Sequence, residues 1–312
     1  MAELKNFPFM KFRKIAAVFS VILILASLGS LLVKGLNYGL DFTGGALIQV
    51  AYEQPADVNL IREQLDQAGY KDTIVQHFGT NTDVLIRMQE TDHEDLGTKI
   101  TELLAANGDQ VTLERSEFVG PSVGEELREK GGLAMLLALG VVMVYIAARF
   151  QLKFAIGAVI ALAHDVIIVT GLFSITGFDV DLTVLAAVLA VIGYSLNDTI
   201  VVSDRIRENF RQIRRDEVDY LINVSLTQTL GRTLVTSLTT LVVLLALLLV
   251  GGELNFGFAV ALIAGVMIGT YSSIYVAANV LMAMNITKQD LMPPEKSDEE
   301  DETEEIPSWL KD

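Results

Sequence analysis

The stretch VLAVIGYSLNDTIVVSDRIRENF, residues 188–210, begins as apolar as a bilayer interior, carries Asn197 and Asp198, and leaves through a basic end. Read as a membrane helix it has a direction, because arginines collect at the cytoplasmic ends of spans. Working outward from it, runs near 15–34, 132–149, 154–176, 182–203, 233–251 and 257–284 each approach the roughly 20 apolar residues that cross a hydrocarbon core. Six spans place both termini on one side. Lys11, Arg13 and Lys14 precede the first span, Arg149 and Lys153 bracket the second turn, and Arg205, Arg207, Arg211, Arg214 and Arg215 fill the connector 204–231. GFDVD (177–181) and GGELN (251–255) have no Lys or Arg. The expectation is a multi-pass inner-membrane protein with residues 1–14 and 285–312 in the cytoplasm and 35–131 outside, in the periplasm of a Gram-negative cell.

Composition agrees. Hydrophobic residues make up 51% of the 312-residue chain while 20% are charged, which fits a membrane protein with one sizeable aqueous part. There is no cysteine, so disulfides, thiol catalysis and Cys-ligated zinc are excluded. The net charge of -16 leaves no basic footprint for nucleic acid. The first span could be a cleaved signal peptide ending at ASLGS (26–30), but its apolar run exceeds the usual signal core of about 7–15 residues, which favours a retained anchor. KSDEEDETEE (296–305) is a like-charge block that predicts a disordered acidic tail.

The outward segment predicts strand 45–53, helix 58–69, strands 72–78 and 82–89, helix 94–108 and strand 110–119. Leu60, Ile61, Leu65 and Ala68 recur at helical spacing, as do Leu96, Ile100, Leu103 and Leu104. The order βαββαβ is the ferredoxin-like arrangement, two helices on one face of an antiparallel sheet. That fold hosts many functions and identifies none. The fold class expected is thus a six-span α-helical membrane protein with an α+β ferredoxin-like periplasmic domain.

An aspartate at the centre of a membrane helix costs about 2.5–3.5 kcal/mol on insertion scales, so it marks function unless it reaches water. Asp198 is either an interfacial acid or a working one, and its partner by depth is Arg232, which opens the fifth span. Arg232 itself could instead snorkel to the headgroups. Thr229, Thr233, Thr236 and Thr240 fall on one helical stripe that Arg232 borders, suited either to a wet interior or to interhelical hydrogen bonds. Asp165, near the middle of the third span, follows His164. Neighbouring helical residues point about 100° apart, so the two are expected not to bond each other, and their role is structural or proton-handling. Asp179 and Asp181 read as solvated loop acids. In the sixth span Gly257, Ala261, Gly265, Gly269, Ser273 and Ala277 form a small-residue stripe for close helix packing. Enzymatic motifs are lacking: no HExxH, no second glycine after GYSLN (193–197) for a G-x-S-x-G elbow, no P-loop. No enzyme activity and no cofactor are expected.

GLDFTGG (39–45), FVGPSVGEELREKG (118–131), VIGYSLNDTIVVSDRIRENFR (191–211) and NVSLTQTLGRTLVTS (223–237) together carry a resemblance. The chain resembles the SecD/SecF family of the bacterial Sec protein-export machinery, on its SecF side, over nearly its whole length. The resemblance implies an RND-like half that pairs with SecD and works with the SecYEG channel and with YajC and YidC, after the SecA motor has started a preprotein across. It implies that Asp198 and Arg232, with Asn197, belong to a proton pathway facing an acid of SecD, with Asp165 and His164 as secondary candidates. Asp41, Gly44 and Gly45 would form a hinge at the domain base; glycine chemistry alone asks only for a turn there. Competing readings are an RND-type small-molecule exporter subunit and a structural adaptor. Partners expected are SecD, SecYEG, the translocating preprotein and membrane lipid, and no nucleic acid.

Overall fold

The computed structural model describes residues 6–71, 73–88, 95–106, 110–213, 217–252, 255–287 and 290. The acidic tail, Arg214 and Arg215 lie outside the described residues. Six long apolar helices form the membrane part: α1 (Arg13–Val33), then α5 (Pro121–Arg149), α6 (Leu152–Thr176), α7 (Leu182–Gln212), α8 (Val218–Val250) and α9 (Phe256–Ala283). Between the first two lie β1 (Asn37–Tyr38), the one-turn α2 (Leu40–Thr43), β2 (Gly45–Tyr52), α3 (Val58–Gln67), β3 (Ile74–Phe78), β4 (Thr80–Met88), α4 (Leu96–Ala105) and β5 (Val111–Val119).

The sheet order β3-β4-β2-β5 is antiparallel throughout, the ferredoxin-like arrangement expected. Alternation puts Ala46, Ile48 and Val50 of β2 with Val84, Ile86 and Met88 of β4 on one face. There they meet Ile61 and Leu65 of α3 and Leu96, Ile100 and Leu104 of α4. Leu60 departs from the predicted stripe and is 52% exposed, because the single turn that faces the sheet is completed by Ile61 and Leu65. Asp57 caps α3 by accepting from the amides of Asn59 and Leu60 at 2.9 and 3.4 Å.

Two helix boundaries differ from expectation. The second span was expected to begin at 132, after the outward segment, but α5 starts within FVGPSVGEELREKG, with Pro121 at its first position, where a missing N–H costs nothing, and runs through to Arg149. The connector 204–231 is not a loop either, since α7 continues to Gln212 and α8 begins at Val218. At 1.5 Å per residue these helices are about 46 and 50 Å long, well beyond a hydrocarbon core of about 30 Å. Polar side chains zip the protruding parts together. Asn209 Nδ2 donates to Ser225 Oγ and to Gln228 Oε1, both at 2.8 Å, and Arg205 Nε donates to the same Gln228 oxygen at 2.7 Å.

The small-residue stripe of α9 faces α7. A Cβ on Gly265 would lie 2.1 Å from Val191 Cγ2, one on Gly257 2.8 Å from Val184 Cγ2, and one on Gly269 3.2 Å from Ser195 Cβ. On α6, Gly171 likewise admits Ser27 of α1.

A short parallel strip was not foreseen. β1 pairs with β6 (Asp179–Val180), the turn before α7. Asp179 also accepts from Asn37 and forms an ion pair with Arg87 of β4. Asp181 caps α7, accepting from the Val184 amide at 2.8 Å. Neither acid is the loosely solvated loop group expected: the free amides at the start of α7 recruit Asp181, while Asn37 and Arg87 hold Asp179.

Candidate functional site

Two apolar clusters fill the bundle. One lies toward the domain side, with Val169, Phe173, Val184, Val188, Val191 and Ala261. The other lies toward the opposite side, with Phe154, Ala158, Leu196, Val202, Ile206, Leu226 and Ala278. Between them, on α6, α7 and α9, sits a polar layer. Asp165 is fully buried and its Oδ2 accepts from Ser195 Oγ of α7 at 2.5 Å and Ser272 Oγ of α9 at 2.7 Å. Its Oδ1 shares a 2.8 Å hydrogen bond with His164 Nδ1. This corrects the expectation that these neighbours do not bond. Neighbouring helical Cβ atoms diverge, but the side chains are long enough to meet, and the imidazole's Nε2 is held by Ser20 Oγ of α1 at 3.1 Å. Ser20 in turn meets the Tyr271 hydroxyl at 2.9 Å, and Tyr271 donates to the Ala16 carbonyl at 2.7 Å. The layer thereby ties four helices, and every polar atom of Asp165 has a partner.

Asp198 is different. It follows Ser195 by three residues, one helical turn toward Gln212, and is buried at 3% exposure. Its Oδ2 has no hydrogen-bond partner among the described residues. A buried carboxylate oxygen without a donor is expensive, and the neighbouring α8 contributes a second unpartnered atom, Thr233 Oγ1. Arg232 occupies the depth expected of it. Asp198 stands 14 residues before the end of α7 (212 minus 198) and Arg232 14 residues after the start of α8 (232 minus 218). Arg232 lies within coulombic reach of Asp198 yet is exposed on the bundle surface, and no ion pair within 4 Å joins them among the described residues. Asn197, next to Asp198, is exposed.

The threonine stripe divides. Thr229, Thr236 and Thr240 donate to carbonyls four residues back at 3.1, 3.1 and 2.9 Å, so those hydroxyls are satisfied within α8. Of these four, only Thr233 Oγ1 has no partner among the described residues. Sequence reading missed Ser20, Tyr271 and Ser272; the run TYSS (270–273) in an otherwise apolar span was the signal available.

At the domain base, Gly44 and Gly45 have φ of 68° and 113°, left-handed values that favour glycine. A Cβ on Gly44 would sit 2.8 Å from Pro121 Cα, so α2 and the start of α5 touch backbone to backbone. Asp41 Oδ2 accepts from the Leu182 amide at 3.0 Å. The GLDFTGG motif is therefore bonded to the N-terminus of the helix that carries Asp198. No group of three or more His, Asp or Glu is placed to hold a metal ion among the described residues.

Known proteins share this architecture. Residues 99–287 match the family model for the protein export membrane protein SecD/SecF, C-terminal, and residues 29–56 match the SecD/SecF GG motif. The protein translocase subunit SecF of Pseudomonas aeruginosa is 54% identical over 94% of this chain and 96% of its own. That of Vibrio alginolyticus is 50% identical over 97% and 98%. Among solved structures, the crystal structure of SecDF, a translocon-associated membrane protein from Thermus thermophilus, superimposes with a TM-score of 0.83 at 37% identity, covering 91% of this chain. SecDF in a super-membrane-facing form gives 0.67 at 38% identity over 90%. The chain spans about 40% of the length of those SecDF chains. The six spans, the ferredoxin-like domain and these matches together show that the chain belongs to the SecD/SecF family, as a SecF-type member.

Proposed function

We propose that this chain is the SecF-type half of a proton-driven export unit, which pairs with SecD and completes preprotein translocation begun by SecA through SecYEG. YajC and YidC are further partners of that assembly in this reading, and both termini lie in the cytoplasm. The observation that carries the proposal is Asp198: a buried acid with an unpartnered oxygen, level with an arginine that it does not contact. A static salt bridge would have closed that gap. An acid that gains and loses a proton needs neighbours that can do without it.

Arg232, the half-buried Thr236 and the exposed Thr239 give α8 a polar face at membrane depth, which lipid would not tolerate. That face suits a second membrane subunit, SecD, contributing an acid of its own. In the two-state mechanism, protonation of Asp198 weakens its attraction to Arg232 and shifts α7 against α8. Asp41 on the Leu182 amide and Arg87 on Asp179 then carry the shift to the outward domain. A proton drives this only through its different affinity for the two packings. The unequal fit to two SecDF forms, at nearly equal identity and coverage, supports a family whose parts rearrange.

The test is gradient-dependent completion of preprotein export in inverted membranes carrying Asp198→Asn or Arg232→Met, with complex assembly checked by copurification of SecD. Full activity in either variant sinks the proposal. Joint apolar replacement of the two residues separates a static bridge, which tolerates it, from a proton path, which does not.

A further inference from the structure

Between the outward domain and the ends of the membrane helices lies a cavity of about 570 Å³, within the roughly 300–1,000 Å³ range of ligand pockets. Its roof is the sheet face turned away from α3 and α4, represented by Leu47, Gln76 and Phe78. Its floor is the turns before α7 and α9, with Phe178 and Phe256 packed edge to face at 5.1 Å. The walls carry charge of both signs. Arg87 pairs with Asp179 and Arg115 with Glu117, which cancels both cations. Asp41 and Asp181 remain, each using one oxygen to cap α7, so the lining is net acidic.

These features select the occupant. Both arginines are already neutralised, so a small anion has no cation to meet. An acyl chain would lie against charged walls at a cost. A polypeptide in extended form satisfies the features that face the cavity: its apolar side chains reach the aromatic floor, and its Lys or Arg side chains meet Asp41 and Asp181. We infer that this cavity is the seat of an extended, basic and apolar segment of the translocating polypeptide, directly above the helix that carries Asp198. The inference rests on the export reading and gives it a contact surface. It also places the occupant against Asp41 and Asp179, the residues through which α7 meets the domain, so that a seated segment and the state of α7 sense each other.

The experiment uses native membranes containing the whole complex and a preprotein arrested in transit. A photo-crosslinking amino acid is placed at Gln76 or Leu47 in the cavity, or at Gln67, exposed on α3 away from it. Adducts to the preprotein are expected from the two cavity positions and not from position 67. Their yield should be about five-fold higher for a segment of Lys or Arg among apolar residues than for an acidic one. Gln76→Trp, which narrows the cavity, should cut the adduct from position 47 by a similar factor while the outward domain keeps its protease resistance. Equal yield at position 67, or adducts confined to lipid, to another subunit or to a second copy of this chain, overturns the inference. If adducts fail while Asp198→Asn still abolishes gradient-dependent export, the cavity assignment alone falls; if Asp198→Asn exports normally, the proton reading falls.

Discussion

Ser195 donates a 2.5 Å hydrogen bond to Asp165 and stands one helical turn from Asp198 on the same helix. The two membrane acids are therefore connected through one hydroxyl and a turn of backbone, but they differ in kind. Asp165 is saturated with partners and Asp198 is short of one. Saturation fits a fixed joint, and the deficit fits a group that changes state.

Asp165→Ala should leave His164, Ser195 and Ser272 without their shared acceptor in a buried layer. The expected loss is about 3 kcal/mol or more, read as a lowered denaturation midpoint of the purified protein in detergent. Ser195→Ala removes one donor and should cost about 1 kcal/mol. Equal losses from the two would show that the layer is not centred on Asp165.

Gly265→Ala drives a methyl group into Val191, and overpacking of this type costs about 1–3 kcal/mol. Adding Val191→Ala should return part of that loss, giving a favourable coupling in a double-mutant cycle. Strict additivity would mean that α7 and α9 separate freely.

At Gly44 the penalty has two sources, a left-handed backbone and Pro121 at 2.8 Å. Gly44→Ala should destabilise the junction by about 2 kcal/mol or more and expose the outward domain to limited proteolysis near residue 120. Gly69, also left-handed but with open space around it, is the control and should show only the smaller conformational cost.

Charge reversal tests the clasp between domain and membrane helices. Arg87→Glu or Asp179→Lys alone should increase protease sensitivity of the outward domain, and the two together should restore resistance. Lack of restoration would assign the effect to β4 packing and not to the ion pair.

Beyond α9, Asp290 accepts from Lys153 Nζ at 2.7 Å and from the Thr287 amide at 2.7 Å. The Lys153 hydrogen bond first, and then that from Thr287, hold its carboxyl below the ordinary carboxylate range. A depressed acid stabilises the fold above its unfolded pKa and loses that contribution as pH falls through the folded one. The pair is partly exposed, so Asp290→Asn should cost at most about 1 kcal/mol at pH 7. The difference from the parent protein should vanish in acid, well below the usual carboxylate pKa.

Much of this architecture was legible because it is periodic. The segments 45–53 and 82–89 read as strands and lie within two residues of β2 and β4, and apolar runs identified spans. The Asp198–Arg232 depth match was legible too, since charges fixed the direction of two adjacent helices. The continuation of α7 and α8 through 204–212 and 218–231 was hidden, because charges that report orientation also resemble a loop. The His164–Asp165 bond was hidden by helical geometry, which fixes where Cβ points and not where a ring ends. Ser20, Ser195 and Ser272 come from three separate helices, and no local pattern announces that they converge.

The β1–β6 strip joins residues 142 positions apart in the chain, with the whole outward domain and two membrane helices lying between them. During synthesis that closure has an order. The domain is made and can fold while its second strip-forming segment is still unmade, and it gains its seat only after the third helix has been threaded through the bilayer. An unseated interval is thus written into the biogenesis of this protein, and its length is set by how fast two helices are inserted.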